Sequence, residues 1–578
     1  MDYLVDIKDV SFNLDEYLNI DQLIRYPAFS SHTSELYHMV ITEALKFSQK
    51  TLAPLNTSGD REGCKLEQGV VKIPHGFKEA YIDFAKNGFI GMDVPQTYGG
   101  QGLPVTITLA ANEFIMGANY AFEMYPGLTR GAAHLIETFG SETLAKLFCE
   151  KMYLGQWSGT MCLTEPDAGS DVGNLRTQAK PLPDGTYAIS GNKIFISAGD
   201  HDITENIIHL VLARVEGDQK GTKGISLFAV PKIWVNDDGS LGANNDVMCL
   251  GIEYKLGIKG SATCSLNFGE KGLCRGFLVG ERSQGMKHMF KMMNEARIFV
   301  GLQGLAVSAA SYQHALKYAG ERSQFGKTLL QFPDVRRNLM ICKSLTEGMR
   351  GLLYKVALIA DVAKNETDPI TKERAQNRID LLTPICKAYC SDFGFRITEI
   401  VLQIFGGYGY TSEYPAEQYL RDVKISSIYE GTNGIQALDL VGRKLTKNGG
   451  QLFREFYEDV ETSLQKIEKE KQLVEAAQKL RKGINTLGQV AMKFGEWGMN
   501  GNWDSPQFYA TPFLEMCGHV VLSHVLLEQA LLCIPKQNSE FHQNKIQTAL
   551  FFCNEFLPLV SARAESIMQT NSKNKEVL

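Results

Sequence analysis

A single carboxylate among small and polar residues is the feature of this chain best suited to chemistry. Glu430 lies in the stretch Ile428–Gln436, between Tyr429 and Gly431. A carboxylate held in an apolar slot has its pKa raised toward the working pH, where it serves best as a general base. Gly431 would let the backbone approach a bound ligand closely. A lone glutamate at a helix end is more often a solvated surface charge, so the interpretation depends on other segments.

Three further segments of the chain carry residues suited to ligand contacts, and all three precede Glu430 in the sequence. Met161–Asp171, with the sequence MCLTEPDAGSD, is predicted to be a ligand loop, although these residues also suit an ordinary turn. Arg322–Lys327 (RSQFGK) and Gln403–Gly407 (QIFGG) complete the set. Together with Ile428–Gln436, these segments resemble the acyl-CoA dehydrogenase family of flavoproteins.

The resemblance implies a reaction. An acyl-CoA substrate loses a proton from its α-carbon and a hydride from its β-carbon, which gives a trans-2-enoyl-CoA. Glu430 would be the catalytic base that takes the pro-R α-proton, and N5 of FAD would accept the hydride. Electrons would then pass to electron-transfer flavoprotein. The backbone N–H of Glu430 and a flavin ribityl hydroxyl would polarise the thioester carbonyl as an oxyanion hole.

The resemblance also assigns cofactor contacts. The residues that would hold FAD are Met161, Leu163, Thr164, Phe195, Ser197, Arg322, Gln324, Phe325, Gln403, Gly406, Gly407 and Thr432. Phe195 stands where the family usually has tryptophan, so stacking is kept but an indole N–H is lost. The residues that would reach the FAD of a neighbouring subunit are Arg322, Gln324, Phe325, Gln403 and the glycine pair, with the Arg322 guanidinium on the pyrophosphate. The protein would then be a homo-oligomer, at least a dimer.

Contacts to the substrate are expected from Ser170, Arg297, Tyr429 and Gly431. Ser170 resembles the position that reaches the phosphopantetheine arm of CoA. Arg297 is interpreted either as a CoA contact or as a structural residue. The family's aspartate partner is replaced by Asn294, so we expect at best a hydrogen bond there. His201 and Asp202 next to the flavin strand are interpreted as a satisfied turn.

Composition excludes several other classes. The 578 residues carry a net charge of −6, which argues against broad nucleic-acid binding. The N-terminus has no basic region followed by an apolar one, and no 18 apolar residues run uninterrupted, so neither a secretory signal nor a transmembrane segment is expected. The 12 cysteines include no CxxC pair, which favours reduced thiols in a cytoplasmic protein without a metal site.

The order of elements that must position these residues is helical, β-rich, helical. Residues 1–37 are an N-terminal lead, 38–157 a helical domain, 158–282 a β-domain, and 283–446 a helical bundle that carries the base. Residues 451–578 are an additional helical domain. The resemblance implies the acyl-CoA dehydrogenase fold for this arrangement: a mainly α protein with an N-terminal helical domain, a β-barrel-like middle domain and a four-helix bundle.

The long lead, the GTMCLTEPDAGSDVG and KIFISAGDHD segments and the C-terminal addition resemble one subfamily. It contains 3-methylmercaptopropionyl-CoA dehydrogenases and large bacterial fatty acyl-CoA dehydrogenases, so the substrate is expected to be 3-methylmercaptopropionyl-CoA or a fatty acyl-CoA. Two alternatives stay open. One is an acyl-CoA oxidase that uses oxygen. The other is a flavin-containing DNA-protection protein, which would need a basic C-terminal face, whereas 451–578 mixes charges of both signs.

Overall fold

A computed structural model describes residues 2–569; residue 1 of the predicted lead and residues 570–578 of the predicted additional domain lie outside the described residues. The chain divides into two compact units. Within the described residues, the first consists of residues 2–3, 40–104 and 114–296, and the second of residues 4–39, 105–113 and 297–569.

Helices account for most of the described chain, with short 3₁₀ and π turns between them. The α-helices, in chain order, are α1 (Ile7–Ser11), α2 (Ser34–Phe47), α3 (Ala53–Glu62), α4 (Phe77–Lys86), α5 (Val105–Ala118), α6 (Tyr120–Phe139), α7 (Glu142–Tyr153), α8 (Gly285–Glu321), α9 (Pro333–Asn365), α10 (Pro369–Phe405), α11 (Ala416–Val423), α12 (Asn433–Asp439), α13 (Gln451–Ile467), α14 (Val474–Met499), α15 (Asp504–Phe508), α16 (Ala510–Cys533) and α17 (Glu540–Met568).

Strands concentrate between residues 157 and 278. The strands, in chain order, are β1 (Lys65–Glu67), β2 (Val70–Lys72), β3 (Trp157–Cys162), β4 (Gln178–Pro181), β5 (Tyr187–Ser197), β6 (Asn206–Val215), β7 (Ile225–Pro231), β8 (Ile233–Val235), β9 (Leu241–Asn244), β10 (Val247–Ile252), β11 (Thr263–Phe268), β12 (Arg275–Leu278), β13 (Ser323–Gln324) and β14 (Lys327–Thr328).

The main sheet of the first unit closes on itself. Its order is β10-β11-β5-β12-β7-β6-β3, and β4 pairs with both β5 and β6. The strands β5, β12, β7, β6 and β4 therefore form a ring, which is the geometry of a small barrel. The prediction of a β-barrel-like domain inserted between helices is confirmed, and with it the mainly helical fold class.

Apolar side chains cover both faces of this sheet. One core joins α6 and α7 to β3, β6 and β7, and includes Phe148, Trp157 and Leu210. The other fills the barrel, with Ile189, Phe228 and residues from β11 such as Phe268. Because both faces are covered, β6 is buried along nearly its whole length, which explains its continuous apolar sequence.

Close helix packing builds the second unit. Helices α8, α9 and α10 are accompanied by α16 and α17, which pack on α9 and on each other. Gly351 on α9 admits α16, because a Cβ there would come within 2.6 Å of Val525. Gly518 on α16 faces the ring of Tyr389, and a Cβ would overlap that ring. Glycine at these contacts therefore sets how near the helices approach.

Buried ion pairs tie the N-terminal lead into the second unit. Asp9 on α1 pairs with Arg350 on α9 and, at 2.8 Å, with Lys545 on α17. Arg350 also contacts Glu113 at 2.6 Å, and Lys545 contacts Glu347 at 2.8 Å. All of these side chains are buried. The lead is thus part of the core, a role that its sequence did not indicate.

Among residues 2–569, helix α16 with the turn that follows it to Lys536 is long and apolar enough to cross a membrane, by length and composition alone. However, 78% of its most apolar 18-residue window is buried against the rest of the protein. That burial is what a core helix of a folded domain shows.

Candidate functional site

Glu430 occupies a strained turn directly before α12. Its φ is +55°, in the left-handed region that non-glycine residues rarely adopt, and Gly431 follows with φ +81°. Strain of this kind persists only where the surrounding structure imposes it, and it concentrates at functional sites. The side chain is half-buried. The backbone at Glu430 is therefore held in a conformation that costs energy.

The carboxylate of Glu430 is influenced by two buried cations of the second unit. Burial raises the pKa of Glu430, and Arg297 on α8 and Lys387 on α10 oppose that rise. The carboxyl group therefore has a greater proton affinity than a solvated glutamate, yet positive charge keeps its ionised form accessible. A carboxylate with these properties suits proton abstraction near neutral pH.

Hydrogen bonds from neighbouring residues fix the turn around Glu430. Gln436 Nε2 donates to the carbonyl oxygens of Glu430 at 3.4 Å and of Gly431 at 3.3 Å. Thr432 caps α12, because its hydroxyl accepts from the Ile435 backbone N–H at 3.2 Å. The Tyr429 hydroxyl donates to Gln303 Oε1 at 2.5 Å. The structure thus brings Tyr429, Gly431 and Thr432 together with the candidate base.

Arg297 has an ionic partner that the sequence did not reveal. Its Nη1 lies 3.5 Å from Oδ2 of Asp439, and both side chains are 3% exposed. The sequence reasoning considered only Asn294 as a partner of Arg297 and did not anticipate Asp439. Asp439 is the last residue of α12, the helix that follows the turn carrying Glu430. The Arg297–Asp439 pair therefore links α8 to the C-terminal end of α12.

A separate cavity in the second unit gathers some of the predicted cross-subunit residues. It has a volume of about 490 Å³, and its lining includes Arg322, Gln324, Gly406 and Gly407. A Cβ on either glycine would meet open space, so bare backbone faces the cavity. The Arg322 guanidinium lies 5.4 Å from the centre of the Tyr408 ring. A guanidinium beside bare backbone and an aromatic face suits a nucleotide phosphate group.

Phe325 and Gln403 do not line this cavity. Phe325 is 92% exposed on the β13–β14 turn and has a φ of +51°. Its ring contacts Phe332 edge-on at 6.3 Å. Gln403 is exposed in the last turn of α10, where its carbonyl accepts from the Gly406 backbone N–H. Phe325 is thus a strained, solvent-facing aromatic residue, which is the second case of such strain among the predicted site residues.

A buried ion pair anchors the predicted ligand loop in the first unit. Lys193 Nζ lies 2.8 Å from Glu165 Oε1 and also donates to the carbonyl of Leu163 at 3.0 Å. The same carboxylate accepts from the backbone N–H groups of Arg176 at 2.6 Å and Thr177 at 3.1 Å. Burial lowers the pKa of Lys193, and Glu165 opposes that shift. The loop is therefore fixed at its base while its tip is solvent-facing.

Strand β5 presents Phe195 at an irregular point of the sheet. The register between β5 and β11 shifts near this residue, and Phe195 has a φ of +57°. Its ring is 59% exposed, which is unusual for a phenylalanine in a strand. Ser197 pairs with Thr263 two residues later. The strained backbone holds out an aromatic face that suits stacking against a flat ring system.

The remaining first-unit residues lie along the loop. Met161 and Leu163 are partly buried against the core, and the Thr164 carbonyl accepts from the Ile194 N–H at 2.9 Å. Ser170 is exposed at the loop tip. These residues belong to the first unit, and the Glu430 and Arg322 groups belong to the second.

His201 has a structural role. It is buried, its Nε2 contacts the Ser158 hydroxyl at 2.9 Å, and its Nδ1 accepts from the Ile203 N–H at 3.2 Å. Burial lowers its pKa to about 3. Asp202 instead pairs with Lys72 at 3.0 Å. Among residues 2–569, no group of three His, Cys, Asp or Glu side chains is arranged to hold a metal ion.

Several residues of the Glu430 site were not anticipated: Gln303, Lys387, Asn433, Gln436 and Asp439. Lys387 is fully buried in α10, between apolar residues that include Cys386 and Ala388. A lone lysine in an apolar helical stretch is the one sequence signal that could have identified it, because lysine is almost never buried without a partner.

The chain matches four family models in sequence. They are the acyl-CoA dehydrogenase N-terminal domain over residues 34–156, the middle domain over 160–270 and the C-terminal domain over 283–445. A model described as acetyl-CoA dehydrogenase C-terminal like follows over residues 456–574. Consecutive models therefore cover most of the chain, including its C-terminal addition.

Individual proteins match over nearly the whole length. A 3-methylmercaptopropionyl-CoA dehydrogenase of Ruegeria pomeroyi is 35% identical over 99% of this chain and 98% of its own. A butyryl-CoA dehydrogenase of Syntrophomonas wolfei is 34% identical over 96% of this chain and 95% of its own. A Bacillus anthracis acyl-CoA dehydrogenase, solved with FAD, superposes with a TM-score of 0.77 at 21% identity, covering 98% of this chain and 93% of that one; it shares the fold.

Proposed function

The chain belongs to the acyl-CoA dehydrogenase family, and from that membership we propose that Glu430 is the base of an FAD-dependent α,β-dehydrogenation of an acyl-CoA thioester. The observation that carries the proposal is the state of Glu430. Its backbone is strained, and burial raises its pKa against the opposing charges of Arg297 and Lys387. A surface glutamate would show none of these features.

The chain's own residues divide the work of the reaction. The carboxylate of Glu430 takes the α-proton, and the strained turn aims it. The backbone N–H of Glu430 is proposed to donate to the thioester oxygen, where charge develops as the proton leaves. When bound, the flavin supplies the acceptor for the β-hydride, so that the substrate loses one proton and one hydride and becomes a trans-2-enoyl-CoA.

The residues present fit a flavin dinucleotide. Phe195 offers an exposed aromatic face, and Thr164 and Ser197 lie on neighbouring segments of the same unit. In the second unit, Arg322 and the bare backbone of Gly406 and Gly407 suit the pyrophosphate. We propose that this second group serves the FAD of a neighbouring copy, so that the protein is at least a dimer.

For the substrate we propose either 3-methylmercaptopropionyl-CoA or a straight-chain fatty acyl-CoA. Support comes from the two relatives matched over their whole lengths, which are named for 3-methylmercaptopropionyl-CoA and for butyryl-CoA. Electron-transfer flavoprotein is the proposed electron acceptor. The cytoplasmic location also stays a prediction.

Anaerobic titration of the yellow protein with a panel of acyl-CoAs tests the reaction. We expect the flavin absorbance to bleach with one chain class, and Glu430→Gln to keep its flavin but lose about two to four orders of magnitude in bleaching rate. Glu373→Gln, an exposed glutamate on α10, is the matched control and should behave as wild type. A flavin that stays oxidised with every thioester contradicts the proposed function. If the bleached flavin is rapidly reoxidised when oxygen is admitted, the protein is an oxidase instead.

A further inference from the structure

Lys387 is a fully buried lysine whose one effect described so far is to oppose, with Arg297, the rise in the pKa of Glu430. It lies on α10, and its ammonium donates to Asn433 Oδ1 at 2.7 Å. Two carboxylates act on it electrostatically, Asp392 on its own helix and Glu430 on the turn before α12. The opposing cation is Arg297 on α8. A lysine so placed needs these partners, because an unpaired buried charge is unstable.

Asn433 connects Lys387 to the turn that carries Glu430. Asn433 is the first residue of α12 and also donates to Ser391 Oγ at 2.9 Å and to the Ala388 carbonyl at 3.2 Å. Helix α10 thus holds the start of α12 three residues after Glu430. From within α12, Gln436 bonds the Glu430 carbonyl. The strained backbone of Glu430 is therefore fixed through a helix whose first residue Lys387 contacts.

We propose that Lys387 is a positioning residue for Glu430, which it orients through Asn433 and whose ionised form it stabilises with its buried positive charge. The inference rests on the proposed function, since it takes Glu430 to be the base. It differs from the role of Arg297, which pairs with Asp439, because Lys387 has no carboxylate within its hydrogen-bond contacts among the described residues.

The charge of Lys387 should depend on pH. Burial lowers its pKa to about 7, with Asp392 and Glu430 opposing and Arg297 adding to the shift. Glu515 on α16 acts on Asp392 and not on Lys387. Below about pH 7 the ammonium is charged and lowers the proton affinity of Glu430. Above that pH the charge of Lys387 is lost, and with it this effect on Glu430.

The test is the pH profile of kcat/KM for flavin bleaching by the substrate that wild type accepts. Lys387→Gln removes the charge but keeps an N–H donor for Asn433, whereas Lys387→Met removes both. We expect both variants to shift the acid limb upward by about one pH unit, equivalent to about tenfold lower activity on that limb. Lys387→Met should also lower the alkaline plateau. Lys387→Arg keeps a positive charge, so its acid limb should lie close to that of wild type. Lys372→Met, at an exposed position of α10, should leave the pH profile unchanged.

A purely structural lysine would lower the amount of folded enzyme without moving the limb. Variants at Lys387 that reduce activity equally at every pH therefore overturn the proposal. If neither Lys387→Met nor Lys387→Gln folds, Asn433→Ala is the deciding variant. It should lower the alkaline plateau of kcat/KM without shifting the acid limb. A wild-type profile in this variant would refute the connection from Lys387 to Glu430 through Asn433. If no thioester bleaches the wild-type protein, the proposed function itself is refuted. If the wild-type protein is active but the Lys387 variants leave the acid limb unshifted, only the role of Lys387 is refuted.

Discussion

The ammonium of Lys193 lies 2.8 Å from the carboxylate of Glu165, with the two side chains 0% and 5% exposed. Strand β5 thereby fixes the loop that follows strand β3. The Glu165 carboxylate has four donors in all: Lys193, two backbone N–H groups and the Thr177 hydroxyl. A buried carboxylate with so many partners holds the loop base in one conformation.

Glu165→Gln should destabilise the first unit. The change leaves Lys193 buried without its counter-ion, at an expected cost of about 3–5 kcal/mol in the free energy of unfolding. Urea denaturation followed by tryptophan fluorescence measures that loss. The double variant Glu165→Gln with Lys193→Met should recover part of it, because no charge is then buried alone. A double variant less stable than the single one would contradict this account.

Phe195→Ala should weaken flavin retention. If the exposed ring stacks on the flavin, its removal costs about 0.5–1.5 kcal/mol, or roughly two- to twelvefold in the dissociation constant. Flavin fluorescence during dilution or dialysis measures the constant. Phe195→Trp keeps an aromatic face and should bind at least as tightly. Equal retention by the alanine variant and wild type would exclude stacking at this position.

Asp439→Asn should destabilise the second unit and also change the chemistry. Arg297 would be left buried without its carboxylate, at a cost of about 3–5 kcal/mol. The released guanidinium charge would act more strongly on Glu430 and lower its pKa, so the acid limb of kcat/KM should shift to lower pH. Arg297→Gln should shift the limb in the opposite direction. Shifts of the same sign in both variants would show that the charges act in another way.

Asp9 should make the stability of the second unit sensitive to acid. Burial alone would raise the pKa of Asp9, but Lys545 and Arg350 hold it at about 2, below its usual 3.8. The folded state therefore gains stability above about pH 4 and loses about 2 kcal/mol of it as the pH falls toward 2. Asp9→Asn should be less stable at pH 7 and less dependent on pH below 4. Asp237→Asn, an exposed aspartate of the first unit, is the control.

Gly518→Ala should disrupt the packing of α16. The added methyl group would overlap the ring of Tyr389, which is itself buried and hydrogen-bonded to His519 at 2.8 Å. Overpacking of this kind costs about 3 kcal/mol. Thermal unfolding measures the loss, and Gly495→Ala, on α14 where a Cβ meets open space, should be neutral or stabilising. A tolerated Gly518→Ala would mean that α16 can move away from α10.

The fold class followed from the sequence because periodicity is local. Runs such as Ile207–Val215 and the helical pattern after Gly285 each show their element within a few residues, so the order helical, β-rich, helical could be predicted. The architecture itself and the role of the motif around Glu430 came from the family resemblance. Contacts between distant residues could not be predicted in either way. Arg297 meets Asp439 across 142 positions, and nothing local distinguishes Asp439 from a solvated aspartate.

Backbone strain was also invisible in the sequence. Phe195, Phe325 and Glu430 all have φ values near +55°. Phenylalanine and glutamate rarely adopt such values, so the residue types at these positions did not predict the strain. Asparagine or glycine would have done so, because they adopt such φ values readily. The role of the lead was not predicted for a different reason: its apolar residues are buried against distant parts of the chain, as Phe12 is against Phe541.

The ion pair of Asp9 with Lys545 has a consequence for synthesis on the ribosome. The two residues are 536 positions apart, so Asp9 emerges long before its partner exists. At about 5–20 residues per second, the wait is roughly half a minute to two minutes. During that time Lys545 is not yet available to Asp9, whereas Arg350, its other buried cation, is synthesised earlier, and the first unit is complete by position 296. The N-terminal segment is therefore synthesised long before Lys545, one of the residues that hold it in the folded chain.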